Sequence, residues 1–215
     1  MMSTKKIIKV TGVVRTMSGV RINGADVEIG PGGADNRIVR NAIDGQPYIP
    51  GSSVKGKVRS LLEEKYGRFD KNGKDAGSNP CGCGRVNCMI CKCFGAHNNV
   101  NAKSGIPRFE FNDMTVTDEF GDRDDIIEIT AATSINRQTG TAANGSLRQL
   151  EQISRGVEFN YSFNIRVTDE DNAEELKAFL IEGMTKLEDS GIGSGNSRGV
   201  GKIRFLTREI EEIDY

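Results

Sequence analysis

Five cysteines lie at positions 81, 83, 88, 91 and 93, in the pattern C-x-C-x4-C-x2-C-x-C, and the chain has no others. Thiolates are soft metal ligands, and the Cys88 to Cys91 spacing lets two of them face one tetrahedral zinc ion. An odd number of cysteines packed into one short segment does not suit disulfides that tie together distant parts of a secreted fold. Four of the five would complete a structural Zn2+ site, and we expect them to be Cys81, Cys83, Cys88 and Cys91. Cys93, beside Phe94, would then pack as a small hydrophobic residue. His97, the only histidine, could stand in for one thiolate. Four thiolates leave no open position for water, so the metal would shape the chain and not act on a substrate.

A second concentration of chemistry is GIGSGNSRGVG, residues 191–201, with glycine at 191, 193, 195, 199 and 201. Missing Cβ atoms let a phosphate approach backbone amides closely, and Arg198 adds a planar two-pronged donor. Gly193, Gly195, Asn196, Ser197 and Arg198 are therefore candidate contacts to a nucleic-acid backbone, although the same composition also suits a plain helix-to-strand connection. The loop lacks a Gly-Lys-Ser/Thr run, so it gives no support to nucleotide hydrolysis. After Pro50 and Gly51, the residues Ser52, Ser53, Lys55, Lys57 and Arg59 put hydroxyls and cations on one acid-free segment. Helical spacing spreads the three cations around the axis, so they cannot all touch one strand. Asp35, in GGADNR, is a carboxylate that could bind Mg2+ or orient a ribose hydroxyl. On its own it reads as a turn residue bonded to its own backbone.

These groups need elements to hold them. Lys5–Val14 is rich in Ile and Val and predicts a strand, with a turn at Ser18-Gly19 and a second strand at Ala25–Ile29. From Ser52 to Tyr66, apolar residues recur at Val54, Val58, Leu61, Leu62 and Tyr66, the spacing of a helix face, with Ser52 or Ser53 as N-cap. Gly67–Pro107 has little periodicity and is long for a structureless connection, which a bound metal would explain. Arg108–Val116 and Ile126–Ile135 predict strands, and Asn136–Gly145 a projecting hairpin or flexible loop. Val157–Val167 alternates apolar with polar residues, so one face is core and the other wet. Ala173–Leu187 follows helical spacing after an acidic start at Asp169–Asp171 that suits a positive helix N-terminus. A last strand runs from about Lys202 to Arg208.

Without the insertions, the order strand, helix, strand, strand, helix, strand is the ferredoxin-like pattern. The expected fold class is α+β, a ferredoxin-like core within a single domain, 1–215. At 36% apolar residues the 215-residue chain can bury such a core. A formal net charge of −1 gives no global pull toward nucleic acid, so any RNA site must come from local clustering. No apolar stretch approaches the roughly 20 residues that would span a bilayer. We therefore expect a soluble, cytoplasmic protein with no membrane partner.

Four blocks, YIPGSSVKGKVRSLLE, ICKCFGA, TSINRQTGTAANGSLRQLEQISRGVEF and GIGSGNSRGVGKI, occur in that order. Together they resemble the repeated backbone subunit of the type III-A, or Csm-type, CRISPR effector complex, a member of the RAMP superfamily. The resemblance covers almost the whole chain. It implies a modified RNA-recognition-motif core with a zinc-binding insertion at 67–107 and a thumb hairpin region at about 118–155. Copies of such a subunit stack along a guide CRISPR RNA beside other subunits of the complex. The thumb, about Ile135–Gly145, would wedge into the duplex of guide and complementary target RNA and displace a target nucleotide. Arg137 on the thumb would join Ser52, Ser53, Lys55, Lys57, Arg59 and the 193–198 loop in contacting RNA.

The family's catalytic aspartate matches Asp35, five residues before Arg40 and fifteen before Pro50. The implied activity is metal-dependent endoribonuclease cleavage of target RNA at regular intervals. The ribose 2′-hydroxyl would attack the adjacent phosphate, with Mg2+ or a similar divalent cation. Cys93 stands where the family usually has leucine, in keeping with a packing role. The alternative is a subunit that only scaffolds RNA while another protein cuts. A third reading, guide processing with His97 as base, competes with the role of His97 as a metal ligand.

Overall fold

The computed structural model describes residues 3–24, 36–69, 79–121 and 123–214. Asp35 and the strand expected at Ala25–Ile29 lie outside them. In chain order the elements are β1 (Thr4–Thr16), β2 (Tyr48–Ile49), α1 (Gly51–Tyr66), α2 (Met89–Phe94), β3 (Phe109–Phe111), β4 (Met114–Val116), α3 (Asp118–Gly121), β5 (Ile127–Ala132), β6 (Arg148–Ile153), β7 (Glu158–Thr168), α4 (Ala173–Ser190), β8 (Ile203–Phe205) and β9 (Glu209–Asp214). Short 3-10 turns occupy Asp124–Ile126 and Asn196–Arg198.

The antiparallel pair β1 and β7 forms the centre of the sheet. Ile8, Val10 and Val14 sit opposite Ile165, Phe163 and Phe159, and all six are buried, because alternate residues of a strand share a face. On the other face Lys9, Thr11 and Val13 oppose Asn164, Ser162 and Asn160, and these two strands present no aromatic ring there. β3 and β4 pair with the outer edge of β7, and β8 and β9 with the outer edge of β1. The strand order is that of a ferredoxin-like arrangement, with the fourth strand of the pattern beside the first, then the third and the second. β2 adds to the outside of β4.

α1 and α4 bury Val54, Val58, Leu62, Leu176, Leu180 and Met184 in the same apolar core as the sheet. Gly183 lets the helices close up, since a Cβ there would lie 2.5 Å from Val58 Cγ1. No helix among the described residues is long and apolar enough to cross a membrane.

Several local expectations change. The strand expected over Arg108–Val116 is two, β3 and β4, with a break at Asn112 and Asp113. That break meets the start of α1: a Cβ on Gly51 would lie 2.0 Å from the Phe111 carbonyl oxygen, and the Gly51 amide donates to Asp113 Oδ1 at 2.7 Å. Helix α1 is thus capped by a carboxylate from the distant break between β3 and β4. Neither Ser52 nor Ser53 is its N-cap, and Pro50 occupies that position without a side-chain bond. The last strand is also split. β8 and β9 pair with different halves of β1, and at the break between them Thr207 Oγ1 accepts the Val13 amide at 2.9 Å.

Asp171, expected to favour the positive end of α4, turns inward instead. The cap of α4 is Asn172, whose Oδ1 accepts the amides of Glu174 and Glu175 at 3.0 and 3.3 Å. Asp171 Oδ2 accepts Arg108 Nε at 2.6 Å and Thr168 Oγ1 at 2.6 Å, and both members of the ion pair have side chains only 1% exposed. Burial raises the Asp171 pKa, but hydrogen bonds from Arg108 and Thr168 outweigh it and hold the carboxyl below its ordinary value. The pair ties the end of the 67–107 segment to the entrance of α4.

Removing Arg108 takes away the main partner of a buried carboxylate, and Lys92, 3.5 Å from Asp171 Oδ1 and itself less deeply buried, compensates only in part. Arg108→Ala should therefore cost about 3–5 kcal/mol in equilibrium unfolding. Because the folded pKa of Asp171 is depressed, its contribution is present above the ordinary carboxylate pKa of about 4 and fades as pH falls through the folded value. A variant that unfolds at the wild-type denaturant concentration at neutral pH would contradict this.

Candidate functional site

The first site is built from the cysteines. Cys88 caps α2 and Cys91 lies one turn on, so their thiols share a face. Cys81 and Cys83 come from the preceding segment, and Arg59 and Glu63 of α1 hold that segment in place. Glu63, buried, accepts the Cys81 amide at 2.9 Å and Arg59 Nε at 2.8 Å, while Arg59 Nη2 donates to the Cys81 carbonyl at 2.8 Å. The four sulfurs all lie within 4.8 Å of one another. Individual separations are 3.9 Å for Cys81 to Cys88, 3.7 Å for Cys83 to Cys91 and 3.7 Å for Cys81 to Cys91.

Four sulfurs about 2.3 Å from one tetrahedral ion would be about 3.8 Å apart, so three of the separations match a metal of zinc's size and the whole set lies within about 1 Å of it. The same spacing is too long for disulfides, which need about 2.05 Å. Burial pushes the Cys81 and Cys91 thiols up, so thiolates there call for a compensating cation. Cys93 is fully buried and stands outside the group, as does His97. The His97 amide instead donates to the Cys81 carbonyl at 3.2 Å.

The second site lies where three segments meet. Leaving β1, the chain pairs with the root of the β5–β6 hairpin, through Val20 and Ile153 amides at 3.0 and 2.8 Å. The 191–201 loop closes over the same segment: the Ile192 amide donates to the Gly201 carbonyl at 2.8 Å, Ser194 to Arg21 at 2.8 Å and Gly201 to Gly19 at 2.7 Å. Gly193 adopts φ +79°, and a Cβ there would lie 2.2 Å from the Arg21 carbonyl oxygen, so the approach requires glycine. Much of the loop's hydrogen bonding is thus internal. Among the described residues, the amides of Gly193, Gly195, Asn196 and Ser197 have no protein acceptor, and Arg198 is exposed.

A cavity of about 160 Å3 opens between this loop and the hairpin, lined by Arg21, Arg148, Arg198, Asn23 and Asn36 together with serine hydroxyls. Asn36 is the residue after Asp35. Its carbonyl accepts the Glu151 amide at 3.1 Å, which anchors it to β6. Arg21 Nε donates to Gln152 Oε1 at 2.9 Å and Nη2 to Thr130 Oγ1 at 2.8 Å, so one guanidinium joins both hairpin strands. Arg21 and Arg148 had no distinguishing sequence signal, because their meeting with Arg198 depends on segments far apart in the chain.

The cations of α1 do not line this cavity. Arg59 is engaged at the cysteine cluster, and Lys55 is half-buried, its pKa lowered by burial and then by Arg59. Lys57 and Ser53 are half-buried and Ser52 is exposed. Arg137 is exposed near the hairpin tip, where Ile135 bridges Ala142. Of the candidate RNA contacts, Arg198 lines this cavity.

A mixed α/β fold with a four-cysteine cluster and a hairpin beside an arginine-lined cavity defines a class of protein. The chain belongs to the RAMP superfamily, whose model matches residues 13–204. Within that class it is 37% identical to the CRISPR system Cms endoribonuclease Csm3 of Methanocaldococcus jannaschii, over 94% of this chain and 79% of the relative. It is 32% identical to the protein of the same name from Methanothermobacter thermautotrophicus, over 96% of this chain and 87% of the relative. Among solved structures it resembles a chain in the crystal structure of the Csm3–Csm4 subcomplex of the type III-A CRISPR-Cas interference complex. The TM-score is 0.64 at 27% identity, over 99% of this chain and 82% of the other.

Proposed function

We propose that the chain is a backbone subunit of a type III-A CRISPR effector complex, binding guide RNA and cutting complementary target RNA at regular intervals. The observation that carries this reading is the arginine-lined cavity at the hairpin root, whose lining includes Asn36, the residue that follows Asp35 in the sequence. Residues 1–215 act as one domain, with the 67–107 insertion holding a structural Zn2+ through Cys81, Cys83, Cys88 and Cys91. The hairpin between β5 and β6 is the thumb that wedges into the duplex, with Arg137 at its tip.

Guide RNA is held through backbone contacts. The unbonded amides of Gly193, Gly195, Asn196 and Ser197 suit anionic oxygens, and Ser52, Ser53, Lys55 and Lys57 serve the same purpose on α1. Copies of the subunit stack along the guide beside other subunits of the complex. Base pairing with the guide selects the target, and protein contacts fix its shape.

In cleavage, Asp35 positions the attacking ribose 2′-hydroxyl or a divalent cation such as Mg2+. The described cavity walls supply amide and hydroxyl oxygens but no carboxylate, so a hard cation there would depend on Asp35. Such a cation would neutralise phosphate charge. The 2′-hydroxyl gives up its proton and its oxygen bonds to phosphorus as the bond to the 5′-oxygen breaks; the departing 5′-oxygen takes up a proton, leaving a 2′,3′-cyclic phosphate and a 5′-hydroxyl. Displacing the target base lets the 2′-oxygen line up with the leaving oxygen, which A-form stacking prevents.

The test is a complex reconstituted with guide RNA and a complementary target. Evenly spaced cuts that stop on chelation of divalent cations are expected. A complex that binds target and leaves it intact would make the chain a scaffold only.

A further inference from the structure

Three guanidinium groups share a small cavity whose described walls carry no acid. Arg21 enters it from the segment after β1, Arg148 from the first residue of β6 and Arg198 from the end of the glycine loop. Like charges repel, so such a convergence is costly unless something negative sits between them. Burial lowers the pKa of Arg21, Arg198 lowers it further, and Glu128 opposes them. Two nitrogens of Arg21 are spent on Gln152 and Thr130, which fixes the cavity wall. Its third nitrogen, Nη1, has no protein acceptor among the described residues and faces the glycine loop, 3.9 Å from where a Cβ of Gly195 would stand. Arg148 and Arg198 are exposed and form no ion pair among the described residues. Serine hydroxyls from both walls, Ser194 of the loop and Ser134 of the hairpin, add neutral donors.

The geometry points to a phosphodiester subsite in which Arg148 and Arg198 contact the non-bridging oxygens of the target phosphate that is cut. This rests on the reading of Asp35 as the cleavage residue, because Asn36, its neighbour, lines the same cavity. As the 2′-oxygen attacks, charge builds on those oxygens before the 5′-oxygen leaves. Two guanidiniums, one on each wall, stabilise it, beside the fixed guanidinium of Arg21. A cavity of about 160 Å3 has room for a phosphate group, and its described walls offer donors suited to phosphate oxygens.

The test uses the reconstituted complex with guide and target RNA. Single-turnover cleavage is measured at saturating complex, and target affinity on a target carrying 2′-deoxyribose at the cut positions. Arg148→Ala and Arg198→Ala should each slow cleavage about 10²-fold, the scale of losing one preorganised donor to a developing anion. Guide content and target affinity should stay within about threefold of wild type, since backbone contacts elsewhere carry the binding. Lysine at either position should restore part of the rate, because the charge returns but the fork does not.

Cleavage within twofold of wild type in both alanine variants, while Asp35→Ala is inactive, would overturn the subsite and leave the function standing. Loss of guide RNA from the purified Arg148 or Arg198 variants would also overturn it, by making the cavity a guide-binding site. If Asp35→Ala cleaves normally as well, the reading of Asp35 fails first and the subsite with it.

Discussion

Replacing Asp35 with alanine is expected to abolish cutting of complementary RNA while leaving the complex assembled on its guide. The reasons are chemical and local. A positioned acid or base typically contributes about 10²–10⁴-fold to a proton-transfer step, and no carboxylate on the described cavity walls could take over. Assembly should survive because the chain just beyond the substitution is anchored independently. The Asn36 carbonyl accepts the Glu151 amide, the Glu151 side chain accepts the Ile38 amide at 3.2 Å and pairs with Arg40 at 3.2 Å, and the Val39 amide reaches the Ile22 carbonyl at 2.8 Å. Asp35→Asn separates charge from shape: the amide fills the same volume, so a loss equal to that of alanine assigns the role to the negative charge. Both variants are compared by single-turnover cleavage and by guide content of the purified complex. Cuts at the same positions and the same rate in either variant would sink the assignment.

The second large effect concerns stability. Cys88→Ser or Cys91→Ser should remove about one equivalent of bound zinc per chain and loosen the 67–107 segment. Structural zinc sites carry much of the folding free energy of the segments that bind them, on the order of 10 kcal/mol in isolated zinc fingers. Even ~4 kcal/mol would lower the melting temperature of a domain this size by roughly 8–16 °C. The effect should spread, because Arg59 and Glu63 couple Cys81 to α1. Cys93→Ala is the matched control: it opens a small gap in the core but leaves the metal count unchanged, since that thiol lies outside the cluster. Metal analysis and thermal unfolding with and without a chelator measure both. Full zinc occupancy in Cys88→Ser would show that the cluster binds otherwise than its sulfur spacing implies.

Local patterns carried a good part of the architecture. The alternation of Val157–Val167 gave β7, the 3.6-residue spacing of Val54, Val58 and Leu62 gave α1, and the cysteine spacing marked residues whose sulfurs converge. What could not be read depends on partners far along the chain. The cap of α1 comes from Asp113, 62 residues away, and no serine signal at 52 or 53 could reveal it. β9 was hidden because Glu209–Asp214 is mostly acidic, and only pairing with β1, where Glu212 meets Lys6 at 2.6 Å, makes it a strand. Asp171 looked like a helix-terminal charge until Arg108 drew it inside. The cavity of Arg21, Arg148 and Arg198 belongs to the same class: each arginine is ordinary in its own segment, and only the folded topology gives them a common purpose.

The wet face of the central strands has a consequence for what kind of reader this protein can be. Many sheet-based RNA-binding domains stack bases on aromatic rings carried by their two middle strands. Here those strands offer threonine, serine, asparagine and lysine, and no ring. A surface without stacking platforms does not hold bases splayed out for reading, so it leaves their identity to base pairing. Under the proposed role, that indifference makes the subunit reprogrammable: any spacer sequence could be loaded onto the same protein, and immunity to a new invader would require new RNA but no new protein.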